Sequence, residues 1–277
     1  MPDHSTVPCP ICGEAATLAY SHPEANIHRC PKCTHVFSDV ASIRAPEEYS
    51  AEYFEKVHRN WFAHPNIRLF GWIESQLPKS ARSVVDVGCG QGQFLDFLHR
   101  NRPNLRLVGV DLSSNPDREG IQFVRGNALD LDLGTFDAVV SLATIEHIAD
   151  VTSFAARVYS LCKPGGMVIV MTVDNGSLLY RVARVARRLG VPIAFNRLYS
   201  AHHLNHFTTR SLADLFARSG FHVVNTLHHS VPLQAIDVPV KNPIARPLFL
   251  AAAAMLLALG DAMGQSYLQT IVAIRRP

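Results

Sequence analysis

The sequence has no hydrophobic run long enough to span a membrane and no strong excess of charge. Its longest apolar run, 247–260, has 14 residues, whereas a membrane-spanning helix needs about 20. A buried or interfacial helix is therefore expected there. Residues 1–7 are largely polar, so we expect no secretory signal. The net charge of +3 is too small to indicate nucleic-acid binding by itself.

Cysteine is also scarce, with six residues in 277, and its spacing does not indicate a disulfide framework. Four of the six form two C-x-x-C pairs, Cys9 with Cys12 and Cys30 with Cys33. This spacing is typical of a four-thiolate metal site. We favour structural Zn²⁺ in a ribbon module at 1–40, with iron or a redox pair as the alternatives. A chain with this cysteine usage is expected in the cytoplasm.

A glycine-rich turn is the most informative feature of the chain. Residues 84–92 read V-V-D-V-G-C-G-Q-G, between a buried-strand pattern and a helix pattern at 94–99. Such a strand, turn and helix form a nucleotide pocket at the C-terminal edge of an α/β sheet. The third glycine of the dinucleotide pattern is missing, because Gln93 occupies its position. The pattern therefore disfavours a dinucleotide.

Two carboxylates select the ligand further. Asp86 precedes Gly88 by two residues, and its charge would repel a pyrophosphate at the helix N-terminus but attract a cation. Asp111 ends the next strand pattern, where it can accept hydrogen bonds from ribose hydroxyls. S-adenosylmethionine (SAM) fits both, since it carries an ammonium, a sulfonium and a ribose but no phosphate. The alternative is a packing turn without a ligand.

Strand and helix patterns alternate through the rest of the chain, which predicts an α/β fold. We predict a Rossmann-like seven-stranded sheet, six strands parallel and the last antiparallel, with helices on both faces. This domain should cover 81–277, after a helical lid or linker at 41–80. Two insertions, 175–208 and 230–266, should leave the C-terminal edge of the sheet and roof the substrate site. The predicted strands are 83–87, 106–110, 121–125, 136–141, 166–173, 221–227 and 268–274.

From about residue 83 to 275 the chain resembles class I SAM-dependent methyltransferases. The resemblance is carried by six features in order: the turn at 84–92, Val110-Asp111, Gly126-Asn127-Ala128, the strand at 136–141, Glu146-His147, and K-P-G-G at 163–166. The cysteine module, followed by the Y-x-x-x-Y-F motif at 49–54, is similar to a subgroup linked to sugar, polysaccharide and small-metabolite methylation. Another relative type with a zinc ribbon methylates ribosomal RNA guanine.

The resemblance implies a SAM pocket at the sheet edge. The family commonly has Asp near the adenine, whereas this chain has Asn127 at that position, so its adenine contact departs from the family pattern. The residues implied to bind SAM are Asp86, Gly88, Cys89, Gly90, Asp111, Leu112, Asn127, Ala128 and Leu142.

Histidines are the candidates for a catalytic base, because an oxygen acceptor must lose a proton during methyl transfer. His147 follows the fourth strand, and His202, His203 and His206 lie in the first insertion. The three insertion histidines are otherwise structural or, less favoured, metal ligands. Glu146 is either a substrate contact or a hydrogen-bonded turn residue.

A basic amphipathic helix is predicted at 178–189, with Arg181, Arg184, Arg187 and Arg188. The helix either exposes its arginines to solvent or uses them to contact phosphate groups. Those phosphates would belong to a nucleotide or lipid-linked sugar, to a membrane surface or to RNA. The apolar run at 247–260 is expected in the core or at a homodimer face, and could also meet a lipid.

These features together predict SAM-dependent methyl transfer to a small molecule. A hydroxyl of a sugar or lipid-linked glycan is the favoured acceptor. RNA methylation is the alternative enzyme activity, although within 8–38 Arg29 and Lys32 are balanced by Glu14 and Glu24. A non-catalytic SAM-binding scaffold is the alternative outside enzymes.

Overall fold

The computed structural model describes residues 6–44, 59–116, 118–236 and 245–276. The Y-x-x-x-Y-F motif at 49–54, with Tyr49 and Tyr53 in the predicted lid or linker, lies outside the described residues. The strands are β1 Val7–Pro8, β2 Ala15–Ser21, β3 Asn26–Arg29, β4 Val36–Ser38, β5 Ser83–Val87, β6 Arg106–Asp111, β7 Ile121–Arg125, β8 Phe136–Leu142, β9 Cys162–Val173, β10 Asn205–His206, β11 Phe221–His229 and β12 Leu268–Arg275. The helices are α1 Arg59–Ala63, α2 Ile67–Gln76, α3 Gln93–Asn101, α4 Val151–Leu161, α5 Leu178–Arg188, α6 Ile193–Leu198, α7 Thr209–Arg218 and α8 Ala245–Ala262.

The larger sheet has seven strands in the order β11-β12-β9-β8-β5-β6-β7. The pairs among β5, β6, β7, β8 and β9 are parallel. Strand β12 lies antiparallel between β9 and β11. The prediction of a Rossmann-like sheet with an antiparallel last strand is therefore confirmed.

The core lies on both faces of this sheet because neighbouring residues of a strand point to opposite sides. Val85 of β5 packs with Phe154 of α4 in one buried cluster. Val84 packs with Phe70 of α2 and Leu95 of α3 in the other. Both faces of β5 are thus covered, which explains its continuous apolar sequence around Asp86.

Strand β9 begins earlier than the predicted 166. Its pairing with β8 starts at Phe136 and Cys162, then shifts between Phe136 and Ala138, so that Met167 pairs with Ala138. The K-P-G-G segment lies within this irregularity, where Gly165 has φ of 70°. The proline and glycines form a bulge in the strand and do not separate it from α4, which ends at Leu161.

The cysteine module and the first insertion share a second sheet. Its order is β1-β2-β3-β4-β10. Strand β10 pairs antiparallel with β4 through Asn205 with Phe37 and His206 with Val36. The sequence did not predict this strand, because two residues carry no periodic pattern. The module is consequently joined by backbone hydrogen bonds to the segment above the larger sheet.

The apolar run in the second insertion is helical, as expected, but most of α8 is not in the core. Leu248 is 70% exposed and Met255 is 62% exposed, while Leu257 is buried. The expectation of a core helix is therefore wrong for most of α8, and the alternative of a homodimer face stays a prediction. None of the helices in the described ranges is long and apolar enough to cross a membrane.

Candidate active site

The glycine turn after β5 lies close to two neighbouring side chains. Gly88, Gly90 and Gly92 have φ of 75°, 52° and 75°, a region that residues with a Cβ rarely adopt. A Cβ on Gly88 would collide with the Thr144 side chain, and one on Gly90 would lie 3.0 Å from the Phe62 ring. The turn therefore needs glycine for its conformation and for space.

Asp86 is a buried carboxylate at the base of this turn. It is 2% exposed, and its Oδ1 has no hydrogen-bond partner in the described part of the chain. Burial, together with the negative charge of Asp111, raises the pKa of Asp86 to about 8. An unpaired buried carboxylate is costly, and a nearby cation favours its ionised form. The site therefore fits an ammonium group and opposes a phosphate.

Asp111, at the end of β6, is held by the turn itself. Its Oδ2 accepts a hydrogen bond from Gly90 N at 2.9 Å. Its Oδ1 accepts from Ser113 N at 2.9 Å and from Ser113 Oγ at 2.6 Å. A carboxylate has about four acceptor positions, so Asp111 retains capacity for ribose hydroxyls while the turn fixes its orientation.

The residues predicted to bind SAM all line one cleft of about 1560 Å³. Leu112 is 72% exposed beside Asp111. Asn127 is exposed and accepts a hydrogen bond from Leu129 N at 3.1 Å, so its carbonyl is committed to a local turn. Leu142 and Ala128 are half-buried in the same wall.

The cleft continues past the turn into an apolar region between the two insertions. Trp61 and Phe62 of α1 cover it near Gly90. Gln93 donates a hydrogen bond from Nε2 to the Phe62 carbonyl, which fixes α1 over the turn. The apolar lining from α5, α6 and α8 consists of Leu179, Ile193, Ala194, Phe249, Ala252, Ala253, Leu256 and Leu257.

Glu146 also lines this cleft, in a short 3₁₀ helix after β8. It is 2% exposed and accepts a hydrogen bond from Thr172 Oγ1 at 2.8 Å. Burial raises the pKa of Glu146 to about 7. The carboxyl can therefore exchange a proton near neutral pH while Thr172 of β9 holds it in place.

His147 and His203 meet at the cleft wall, although they come from different parts of the chain. Their rings are 5.0 Å apart in an edge-to-face arrangement, and both line the cleft with His202. His147 Nδ1 lies 2.6 Å from the His202 carbonyl, which requires Nδ1 to be the donor. Burial lowers the pKa of His147. The neutral ring then has Nε2 as its basic nitrogen.

His206 lies outside the cleft lining. It is fully buried in β10 beside β4, and its Nδ1 lies 3.3 Å from the Tyr180 hydroxyl. Burial, followed by the charges of His35 and His22, lowers its pKa to about 3. The structure therefore brings His147 and His203 together at the cleft and places the third predicted base, His206, behind them.

The four cysteines of the two C-x-x-C pairs lie together. Sγ of Cys9 is 3.5 Å from that of Cys33, Cys12 is 3.5 Å from Cys30, and Cys12 is 3.7 Å from Cys33. A tetrahedral ion with bonds of about 2.3 Å would hold sulfurs about 3.8 Å apart. In the described ranges this is the only group of side chains found that could hold a metal ion, so the insertion histidines do not form one.

Asn205 connects the cysteine module to the cleft wall. Its Oδ1 lies 3.0 Å from His35 Nε2, and its Nδ2 donates to the Ile148 carbonyl at 2.7 Å. His35 follows Cys33 by two residues, and Ile148 follows His147. One buried amide thus links the last cysteine to the segment that carries the candidate base.

Comparison with known proteins agrees with the geometry of this cleft. A family model described as a methyltransferase domain matches residues 48–226, which is more than half of the chain and includes the turn, both carboxylates and His147. The chain belongs to this methyltransferase family.

Curated relatives of this methyltransferase match over shorter stretches. A ubiquinone biosynthesis O-methyltransferase of Ralstonia nicotianae is 28% identical over 153 residues, covering 48% of this chain and 63% of the relative. An uncharacterised methyltransferase of Mycobacterium tuberculosis is 30% identical over 121 residues, covering 41% of this chain and 61% of the relative. The chain thus spans less than two thirds of these relatives.

Solved structures share the methyltransferase fold. The 1,6-didemethyltoxoflavin-N1-methyltransferase of Burkholderia thailandensis, with S-adenosylhomocysteine bound, has a TM-score of 0.53 at 17% identity, covering 90% of this chain and 99% of that one. A SAM-dependent methyltransferase of Archaeoglobus fulgidus has a TM-score of 0.52 at 19% identity, covering 82% and 100%. At these identities the likeness shows the fold alone.

The sequence analysis did not identify three residues of the candidate site. Thr144 fills the space above Gly88, and Ala143 before it has φ of 54°, which nothing in the sequence indicates. Asn205 was passed over between two histidines. The contacts of Thr144 with Gly88 and of Asn205 with His35 join residues far apart in the chain, so local sequence patterns do not indicate them.

Proposed function

We propose that this protein transfers the methyl group of SAM to a hydroxyl oxygen of a small, lipid-bearing acceptor. One observation carries the proposal: the imidazoles of His147 and His203 line the same cleft as Asp86 and Asp111. The cleft thereby joins a pocket for a cationic nucleoside to a site that can accept a proton. SAM, when bound, supplies an electrophilic methyl group on a sulfonium.

The cofactor end is proposed to act through charge and orientation. The unpaired Oδ1 of Asp86 fits the ammonium of SAM, and Asp111 fits its ribose. The Phe62 ring lies against Gly90, and we propose that it keeps water from the turn and so strengthens these interactions. The fixed turn holds the methyl donor near the acceptor, and such positioning removes a large part of the barrier to methyl transfer.

We assign His147 as the base that takes the acceptor's hydroxyl proton. The His202 carbonyl fixes its Nδ1 as the donor, so Nε2 receives the proton. Burial keeps the ring neutral near pH 7, the form that a base requires. His203 packs edge-on against it and orients the ring. Glu146, held by Thr172, is proposed to bind a second polar group of the acceptor.

The acceptor class follows from the apolar end of the cleft. Phe249 and Leu256 of α8 line it together with Leu179 and Ile193 of the first insertion, and this apolar lining suits a hydrocarbon tail better than a free sugar. Relatives named for ubiquinone biosynthesis support a hydroxylated quinone precursor. A lipid-linked glycan also combines a hydroxyl group with a hydrocarbon tail, and it is the second candidate acceptor.

We further propose that the four cysteines hold one structural Zn²⁺. Their sulfur spacing fits a tetrahedral ion, and four thiolates leave no open position for catalysis. Thiolates of this kind persist in a reducing compartment, so the proposed location is the cytoplasm.

Two measurements test the activity. Calorimetry should show SAM binding without NAD binding, and NAD binding would overturn the cofactor assignment. Incubation with SAM should then give a mass increase of one methyl group in either a pool of hydroxylated quinone precursors or a pool of lipid-linked glycans. Binding of SAM without methylation in either pool would reject the acceptor class and favour a non-catalytic SAM-binding role.

A further inference from the structure

The first insertion has an extreme charge composition. Between 175 and 208 it contains five arginines and no aspartate or glutamate. Arg184 and Arg187 point inward: Arg184 Nη1 donates to the Asn175 carbonyl at 3.1 Å, and Arg187 Nη2 donates to the Ser21 carbonyl at 3.0 Å. The other three, Arg181, Arg188 and Arg197, are exposed, and the hydrogen bond from Arg181 Nε to the Gly176 carbonyl at 3.0 Å lies at the surface.

The exposed arginines of α5 share a helix face with apolar side chains. Residues four, seven and eight positions apart lie on one side of an α-helix. Arg181, Val185, Arg188 and Leu189 have this spacing, and Val182 lies next to them. Val182, Val185 and Leu189 are 42%, 53% and 78% exposed. This face therefore alternates guanidinium groups with hydrocarbon, while Tyr180 and Ala183 on the other side are buried.

Helix α8 continues this surface. Leu178 N donates to the carbonyl of Gln265, just after α8, at 3.0 Å, and a Cβ on Gly260 of α8 would lie 3.6 Å from the Leu178 Cβ. The start of α5 therefore lies against the end of α8. Leu248, Met255 and Leu259 recur at helical spacing and are 70%, 62% and 49% exposed. We call the combined surface the basic-apolar face: Arg181, Val182, Val185, Arg188, Leu189, Arg246, Leu248, Met255, Leu259 and Met263.

The basic-apolar face borders the cleft. Phe249 and Leu256, which line the cleft, each follow an exposed residue of the face, Leu248 or Met255, by one position. A molecule covering the face would therefore lie beside the apolar end of the cleft.

We propose that this face docks on an anionic lipid bilayer, with α5 and α8 lying in its interface. Exposed hydrocarbon enters the acyl boundary while arginines meet lipid phosphates. Within α5 and α8 the only acidic residue is Asp261, whose Oδ1 accepts from Ser230 Oγ at 2.7 Å. A two-fold dimer through the same face would set one positively charged surface against another, so the charge favours lipid. The proposal does not depend on the chemistry of methyl transfer.

The test is co-sedimentation of the full chain with vesicles, without any acceptor present. Binding is expected to phosphatidylcholine vesicles containing phosphatidylglycerol, with weaker binding to phosphatidylcholine alone and at high salt. Each arginine near an anionic surface contributes about fivefold to partition. Arg181→Glu with Arg188→Glu should therefore weaken binding by at least about 25-fold.

Matched variants keep the result interpretable. Arg100→Glu with Arg218→Glu makes the same charge change at exposed sites outside both insertions and should leave vesicle binding nearly unchanged. Leu248→Ser with Met255→Ser should weaken binding to both vesicle types. SAM calorimetry on each variant verifies folding. The proposal would be overturned if both arginine pairs lowered vesicle binding equally, or if vesicles with and without phosphatidylglycerol bound the protein equally. It would also be overturned if the protein were a dimer that the Leu248 and Met255 changes dissociate.

Discussion

The side chain of Asn205 lies 3.0 Å from His35 Nε2 and so joins the cysteine module to the methyltransferase domain. The same amide donates to the Ile148 carbonyl, one residue after His147. Removing it would leave buried polar groups without partners on both sides, and burial holds the pKa of His35 at about 4, so His35 cannot compensate by becoming charged at neutral pH.

Asn205→Ala is therefore expected to lower the free energy of unfolding by roughly 1–3 kcal/mol and to reduce kcat more than SAM affinity. Urea denaturation and steady-state kinetics measure the two effects. Asn225→Ala removes two exposed hydrogen bonds, one donated to Gln76 and one accepted from Thr226 N, and serves as the control, with a change of about 0.5 kcal/mol or less. Equal effects of the two variants would argue against the connecting role.

Asp86→Asn is expected to weaken SAM binding at least about tenfold, because the neutral amide cannot pair with an ammonium group. Calorimetry measures the affinity, and Asp132→Asn at an exposed site is the control. The pH dependence gives a second test. Since burial raises the pKa of Asp86 to about 8, its ionised form increases as pH rises from 6 to 8. SAM affinity should rise over this range in the native protein and stay nearly flat in Asp86→Asn.

His147→Gln is expected to lower kcat by about 10²–10⁴-fold with SAM affinity nearly intact. Because the lowered pKa lies below the ordinary 6.5, native kcat should fall only when pH drops below that value and protonates the base. His222→Gln, on an exposed part of β11, is the control. A larger kcat loss in His206→Gln than in His147→Gln, at unchanged stability, would restore His206 as the base.

Metal analysis should find about one zinc per chain, held by the four cysteines. Cys12→Ser with Cys33→Ser should abolish it and unfold the module, since so small a sheet depends on its metal for stability. Cys162→Ser removes a buried thiol that does not belong to the four-cysteine group and should retain the zinc. Iron in place of zinc would support a four-cysteine metal site but contradict the assignment of zinc. A protein without any bound metal would contradict the metal site itself.

The parts of the site that the sequence predicted are those formed by neighbours in the chain. Asp86, the glycine turn and α3 follow one another directly, so their pattern indicates both structure and ligand. The sequence separation of Asp111 from the turn is also short, and a parallel β6 beside β5 places it correctly.

The acceptor side was less predictable because its contacts are remote. His203 and His206 look equivalent in the sequence, yet pairing of β10 with β4 turns His206 into the interior. That pairing depends on Phe37 and Val36, more than 160 residues earlier. Local patterns contain no information about such a partner, so the sequence could not separate the two histidines.

Because β4 pairs with β10, the smaller sheet cannot be completed until late in synthesis. His35 and Asn205 are 170 positions apart, so at roughly 5–20 residues per second the ribosome needs about 10–30 s to deliver the second after the first. Throughout that interval β4 is an open strand edge, which other chains can pair with. Nascent fragments ending before residue 205 should therefore aggregate or recruit chaperones more readily than fragments that include it.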